Sequence, residues 1–217
     1  MQAMSNIFNP LRSTVRYGMG AVARLLNTIT GGRLHPDAVT LIGVVMHVPI
    51  AVLIALRHYN MLAAVLLLVF GLFDTLDGEL ARLQGRASPR GMLLDAATDR
   101  MKETLLYAGI GYALALSSHP ATASLAAAAC GASLCVSYVK AKGEAAVAAS
   151  ERAIPHHTLN RLFADGFLTF EIRMSLLVAA LLLGWLAPIT AFIAVFAGVT
   201  AVQRLVRISK ALERVQS

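Results

Sequence analysis

Apolar residues run in six long blocks, near Ala38–Leu56, Met61–Phe73, Thr104–Ser117, Pro120–Val139, Met174–Leu186 and Pro188–Val202. A membrane-crossing helix needs about 20 residues, a length the first and fourth blocks reach unaided. The second and third reach it only when extended through Asp74–Arg82 and Asp95–Glu103, and the fifth only if it begins near Arg161–Phe170. The first two of these extensions carry acids, and carboxylates within a span are costly and mark function. Ahead of the blocks, Phe8, Leu11, Val15, Met19, Val22, Leu26 and Ile29 recur at steps of three and four, with Arg12, Arg16 and Arg24 between them. This is the stripe of an amphipathic helix suited to the headgroup layer, and Gly31-Gly32 ends it. A stripe, rather than a continuous run, argues against a cleavable signal peptide. The pattern predicts an all-α integral membrane protein: six transmembrane helices preceded by an N-terminal amphipathic juxtamembrane helix. Residues 1–32 form the juxtamembrane helix and 33–217 the membrane domain, with a cytoplasmic insertion near 143–170.

Composition agrees. Hydrophobic residues make up 57% of the chain and charged residues 14%, too little charge to coat a soluble globule. Aromatics at 6%, without strand-like alternation, argue against a membrane β-barrel. The net charge of +7 raises nucleic acid as a partner, but no soluble basic domain exists to bind it. Instead, every Lys and Arg except Arg57 falls before the first block, in the second and fourth connections, or after the sixth. By the positive-inside bias these segments, and both termini, face the cytoplasm. Pro49 should kink the first span. Cys130 and Cys135, five apart, read as small buried residues, and His156-His157 supplies too few ligands for a metal site.

The scarce acids concentrate. Asp74 and Asp77 are three apart at the end of the second block, and Asp95 and Asp99 four apart at the start of the third. Either spacing puts a pair on one helical face. Gly85, Ser88-Pro89 and Gly91 let the chain turn back between them. A hairpin therefore brings four carboxylates together at the cytoplasmic end. Their mutual repulsion calls for a cation, and an all-carboxylate set selects a hard one, Mg2+ or Mn2+. Such ions commonly serve phosphate chemistry. Gly78 allows close approach to the backbone, Ala81 keeps the next turn narrow, and Arg82 offers a planar fork to a phosphate oxygen. The competing reading is a set of polar helix ends with ordinary ion pairs, such as Asp99 with Arg100 or Lys102.

The run Asp74, Asp77, Gly78, Ala81, Arg82, Gly91, Asp95, Asp99 follows the pattern D-x2-D-G-x2-A-R-x8-G-x3-D-x3-D. It resembles the signature of the CDP-alcohol phosphotransferases, with every fixed position filled. The resemblance implies a six-helix, frequently dimeric enzyme of a bacterial-type inner (plasma) membrane, with its site open to the cytoplasm. It would displace CMP from CDP-diacylglycerol by an alcohol. Asp74, Asp77, Asp95 and Asp99 would bind one or two divalent ions, and Asp99 would be the general base. Gly78, Ala81, Arg82 and Gly91 would line the cytidine diphosphate site. The run HPDAVT is also similar to the family, and there Asp37 and Thr40 would face the nucleotide. Either residue could equally cap the helix.

Lys140, Lys142, Arg173 and Arg204 lie at the cytoplasmic ends of the later blocks. Four cations suit a phosphorylated acceptor better than a neutral one, although positive-inside topology alone would also place them there. The runs SYVKAKGE and VQRL resemble those of bacterial members of the family that use inositol 1-phosphate. Lys142 stands where those enzymes typically carry Arg. The implied partners are CDP-diacylglycerol, a soluble phosphorylated alcohol, surrounding lipids and a second copy of the chain. Glycerol 3-phosphate (the phosphatidylglycerophosphate synthase reaction) is the alternative acceptor. An ion or proton transporter is a remote reading, because the acids sit near the basic face without an internal repeat.

Overall fold

The computed structural model describes residues 2–149 and 168–216. Among them the chain is helical and without strands: α1 (Gln2–Ile29), α2 (Pro36–Ala55), α3 (Asn60–Gly71), α4 (Phe73–Leu83), α5 (Pro89–Ala115), α6 (Ala123–Ala148), α7 (Phe170–Leu183) and α8 (Leu186–Gln216). A single 3-10 turn, Pro120–Thr122, precedes α6. The chain forms two compact units, Met1–Gly109 and Ile110–Ser217. The expected insertion near 143–170 begins as the last turns of α6, and His156-His157 lies outside the described residues.

Helix ends in the first unit follow from local sequence. α1 stops at Gly31 and Gly32, with φ of 56° and 74°. Gly32 N–H donates back to the Asn27 carbonyl at 2.8 Å, and Gly31 N–H to Thr28 at 3.2 Å. α4 stops in the same way at Gly85 (φ 65°), where Arg86 N–H reaches the Ala81 carbonyl at 2.8 Å. Left-handed backbone just past the end satisfies the orphan carbonyls, and glycine adopts it without a Cβ clash. α2 opens with Pro36 behind His35, whose ring nitrogen accepts from Asp37 N–H at 3.3 Å. The cap is therefore His35 rather than Asp37 or Thr40. The helix runs unbroken through Pro49.

α1 packs along α4. Met19, Ala23 and Leu26 meet Leu76 and Leu80, with Leu34, Val39 and Phe73 completing the cluster. Only part of the expected stripe is used, since Val22 and Ile29 are exposed and Tyr17 and Leu25 stand out beside them. Polar ties reinforce the contact. Arg16 pairs with Glu79 at 2.7 Å, and the Gln84 amide donates to Asn27 Oδ1 at 2.9 Å and to the Leu34 carbonyl at 3.0 Å. α2 packs on both α3 and α4. It meets α5 backbone to backbone: a Cβ on Gly109 would stand 2.4 Å from the Ala51 carbonyl oxygen.

In the second unit α6 and α8 pack through small residues. Ala126, Ala129 and Ser133 are buried on α6, and Ala197, Thr200 and Ala201 on α8. Small side chains allow the close helix approach on which association in lipid depends. α7 also packs on α8, and the Thr200 hydroxyl accepts from Leu168 N–H at 3.3 Å.

Among the described residues, four helical segments are long and apolar enough to cross a bilayer: Pro36–Ala55, Asn60–Leu83, Pro120–Ala148 and Leu186–Glu213. Large apolar side chains such as Val45, Val52, Leu68, Val195 and Val202 point outward from them. Such a surface suits lipid as solvent, and the protein is an integral membrane protein. Six spans were expected. Among the described residues α5 is long enough, but its first half carries Arg90, Asp95, Asp99, Arg100, Lys102 and Glu103, and α7 covers only 14 residues.

Candidate active site

The acids converge because two helix starts meet. α3 is interrupted at Leu72, so that α4 begins immediately before Asp74. After the Gly85 turn, Ser88 starts α5, its hydroxyl accepting from Gly91 N–H at 3.2 Å, with Pro89 in the first helical position. One carboxylate oxygen from each of Asp74, Asp95 and Asp99 lies within 4.8 Å of the others. Asp77 stands one turn along α4 and is buried, its Oδ2 accepting a hydrogen bond from the Thr40 hydroxyl of α2.

Asp95 Oδ1 and Asp99 Oδ1 are buried without a hydrogen-bond partner. Orphaned carboxylate oxygens in a protein interior require either protonation or a cation. An all-oxygen donor set with two such atoms fits a hard divalent ion. Part of the compensating charge comes from the protein. Lys102 is buried, ion-pairs with Asp74, and lies 3.6 Å from Asp99 Oδ1. Arg100 lies 3.7 Å from Asp99 and 3.3 Å from the buried Glu103. Ordinary ion pairs and a metal-suited cluster thus coexist at this point.

The remaining signature residues line the same helices. The Arg82 guanidinium lies over Gly78, whose Cβ, if present, would be 3.5 Å from Nη2. Glu79 Oε1 holds that guanidinium at 2.6 Å while also pairing with Arg16 of α1. Asp37, at the start of α2, pairs with Arg90 at the start of α5 at 3.7 Å, and with His35 at 3.7 Å. Ala81 and Gly91 are half-buried on α4 and α5.

The four cations suggested for the acceptor belong to the second unit and fall into two kinds. Arg173 and Arg204 are buried. Arg173 donates to the Leu168 carbonyl at 3.0 Å, and Arg204 Nη1 to the Val136 carbonyl at 3.2 Å, leaving Arg204 Nε buried and unbonded. Lys140 and Lys142 are exposed, the first 3.8 Å from Glu144 and the second 6.0 Å from the Tyr138 ring centroid. The sequence pairs Lys102 with Asp99, as found, but misses its burial and its closer contact with Asp74, and misses Glu79 as the link between Arg16 and Arg82. For Lys102 a signal existed: it follows Asp95 by seven residues and Asp99 by three, on their face of α5.

Residues 33–203 match the model of the CDP-alcohol phosphatidyltransferase family. The chain is similar to the phosphatidylinositol phosphate synthase of Corynebacterium glutamicum, 36% identical over 115 residues, covering 52% of this chain and 52% of that one. The chain thus spans about half the length of that curated relative. It is also similar to the archaetidylinositol phosphate synthase of Aeropyrum pernix, 29% identical over 96% of this chain and 99% of the other. Among solved structures it resembles Mycobacterium tuberculosis phosphatidylinositol phosphate synthase with CDP-DAG bound. The TM-score is 0.72 at 26% identity, covering 88% of this chain and 92% of that one. The same enzyme in complex with manganese and citrate matches with a TM-score of 0.72 and 26% identity, over 88% of each chain.

Proposed function

The chain belongs to the CDP-alcohol phosphatidyltransferase family, and we propose that it transfers a phosphatidyl group from CDP-diacylglycerol to inositol 1-phosphate, releasing CMP. The observation that carries this reading is the convergence of Asp74, Asp95 and Asp99, with two buried oxygens that accept no hydrogen bond. The similarity to enzymes named for inositol phosphate lipids supports the choice of acceptor.

An acceptor hydroxyl forms the new O–P bond at the lipid-side phosphorus, and the bond from that phosphorus to the bridging oxygen breaks. CMP departs with the bridging oxygen. Asp99 takes the hydroxyl proton, a role for which a carboxylate in reach of the nucleophile is suited. Asp74, Asp77, Asp95 and Asp99 would hold Mg2+ or Mn2+, which would supply neutralisation of phosphate oxygens and stabilisation of the CMP leaving group. Gly78, Ala81, Arg82 and Gly91, with Asp37 and Thr40, receive the cytidine diphosphate, and Glu79 keeps the Arg82 fork oriented. Lys140, Lys142, Arg173 and Arg204 receive the acceptor's phosphate, for which the unbonded Arg204 Nε is a ready donor.

In this reading the chain crosses a bacterial plasma membrane six times, α5 and α7 adding to the four apolar spans. The active site and both termini face the cytoplasm, and the chain works as a homodimer. α1 lies in the headgroup layer, with Tyr17, Leu25 and Ile29 exposed toward lipid. The test is CMP release by purified protein given CDP-diacylglycerol, Mg2+ and one acceptor at a time. Release with inositol 1-phosphate is expected. Release with glycerol 3-phosphate but not inositol 1-phosphate would instead assign the phosphatidylglycerophosphate synthase reaction.

A further inference from the structure

Glu79 occupies one of the variable positions between Gly78 and Ala81 in the acid hairpin. Arg16 Nε of α1 and Arg82 Nη2 both donate to its Oε1, at 2.7 Å and 2.6 Å. Its second oxygen lies toward Gly20 of α1, where a Cβ would be 3.9 Å from Oε2. Arg16 and Gly20 are four residues apart on one helical face, which therefore presents a cation and then room for the carboxylate. Glu79 is the least exposed of the three charged groups: its side chain is 18% exposed, against 60% for Arg16 and 50% for Arg82. α1 is also seated by other contacts, Ala23 in one cluster with Leu76 and Leu80, and the Gln84 amide on Asn27.

Arg82 needs such a hold. Half of its side chain is in solvent, and a long exposed guanidinium samples many rotamers unless something fixes it. An i,i+3 pair between exposed groups on one helix fixes little by itself, because solvent screens it and side-chain entropy opposes it. Here the carboxylate is gripped from α1 as well, so it holds Nη2 from a fixed place. The guanidinium then lies across Gly78, with Nη2, Nη1 and Cζ 3.5, 3.6 and 3.9 Å from the Cβ position there. With Nη2 engaged by Glu79, Nη1 can donate to a phosphate oxygen, a contact that depends on direction as well as charge. We propose that Glu79 is a positioning residue that ties Arg82 to α1, so that the seating of α1 on α4 sets the affinity for the diphosphate of the nucleotide substrate. This rests on Arg82 receiving the cytidine diphosphate, as given under Proposed function, and extends the support of that site to a helix outside the acid hairpin.

Binding of CDP to the purified protein in detergent with Mg2+, measured by isothermal titration calorimetry, tests this without any turnover. Glu79→Gln, which keeps the shape and removes the charge, is expected to weaken CDP binding about tenfold, the worth of one oriented charge-assisted contact. Arg16→Met should weaken it severalfold, and Arg16→Lys, which keeps the charge, should recover part of that loss. In an Arg82→Met background Glu79→Gln should have no further effect, since the group it positions is gone. Unchanged or tighter binding in either Glu79→Gln or Arg16→Met would overturn the proposal. So would a loss from Glu79→Gln that persists in full without the Arg82 guanidinium, as a general loosening of the fold would give. Arg16→Met alters an exposed side chain outside the signature, so the test stands even if Glu79→Gln fails to fold. Failure of the underlying site reading looks different: the wild type would bind no CDP, or Arg82→Met would bind it as well as the wild type does.

Discussion

Replacing Gly109 by Ala tests the packing that holds α5, and with it Asp95 and Asp99, against α2. The added Cβ would stand 2.4 Å from the Ala51 carbonyl oxygen, 3.0 Å from its carbon and 3.1 Å from its Cα. All three are backbone atoms, so no side chain can rotate away, and α2 and α5 must separate by about an ångström to restore ordinary contact. Overpacking of this kind costs about 1–3 kcal/mol. The better helix propensity of Ala returns up to about 1 kcal/mol, leaving a net loss of roughly 1–2 kcal/mol. For a chain of this size that corresponds to a fall in Tm of about 2–8 °C. Gly131 on α6 is the control, because nothing lies within 4 Å of its Cβ position. Gly131→Ala should leave Tm unchanged or raise it slightly. Thermal unfolding of both variants in one detergent, followed by intrinsic fluorescence, makes the comparison. A Gly109→Ala protein as stable as Gly131→Ala would refute the close contact.

Asp99→Asn should lower CMP release by about 10²–10⁴-fold, the range general-base catalysis supplies, with the Tm retained or raised because a buried charge is removed; turnover at the normal rate would refute its role as base. Thr40→Val removes the hydroxyl that donates to the buried Asp77, and should cost about 1–3 kcal/mol, seen as a lowered Tm. Thr40→Ser, which keeps the hydroxyl, should recover most of it. Gly85→Ala places a Cβ on left-handed backbone at the end of α4 and should cost about 1 kcal/mol. Asn at that position should cost less, because it tolerates this conformation better.

How far the site was legible depends on the distance between partners along the chain. The hairpin of acids could be read directly, since Asp74, Asp77, Asp95 and Asp99 sit at helical spacings around the Gly85 turn and the Ser88-Pro89 helix start, and those signals are local. Asp77 shows where that reading stops. Local spacing puts it beside Asp74, whereas the hydroxyl that donates to it belongs to Thr40, 37 residues away on α2, which no local spacing shows. Arg16 and Glu79, 63 residues apart, meet for a similar reason: the docking of α1 on α4 brings them together. The four cations grouped by charge alone divide into two buried arginines and two exposed lysines, because burial depends on which face of α6, α7 or α8 meets a neighbour.

The sequence by itself determined the all-helical membrane character, the concentration of acids in one hairpin and the family pattern those acids complete. Each of these follows from hydrophobic blocks, helical period or turn chemistry, which act over a few residues. Tertiary structure alone decided that α1 docks on α4, that Gly109 is seated against Ala51, and that Lys102 turns inward to the carboxylates rather than out to water. Those outcomes depend on the register in which separate helices pack. A lysine three residues after an aspartate is a surface ion pair when its face meets solvent; it becomes part of the acid cluster when α2 closes over it at Gly43.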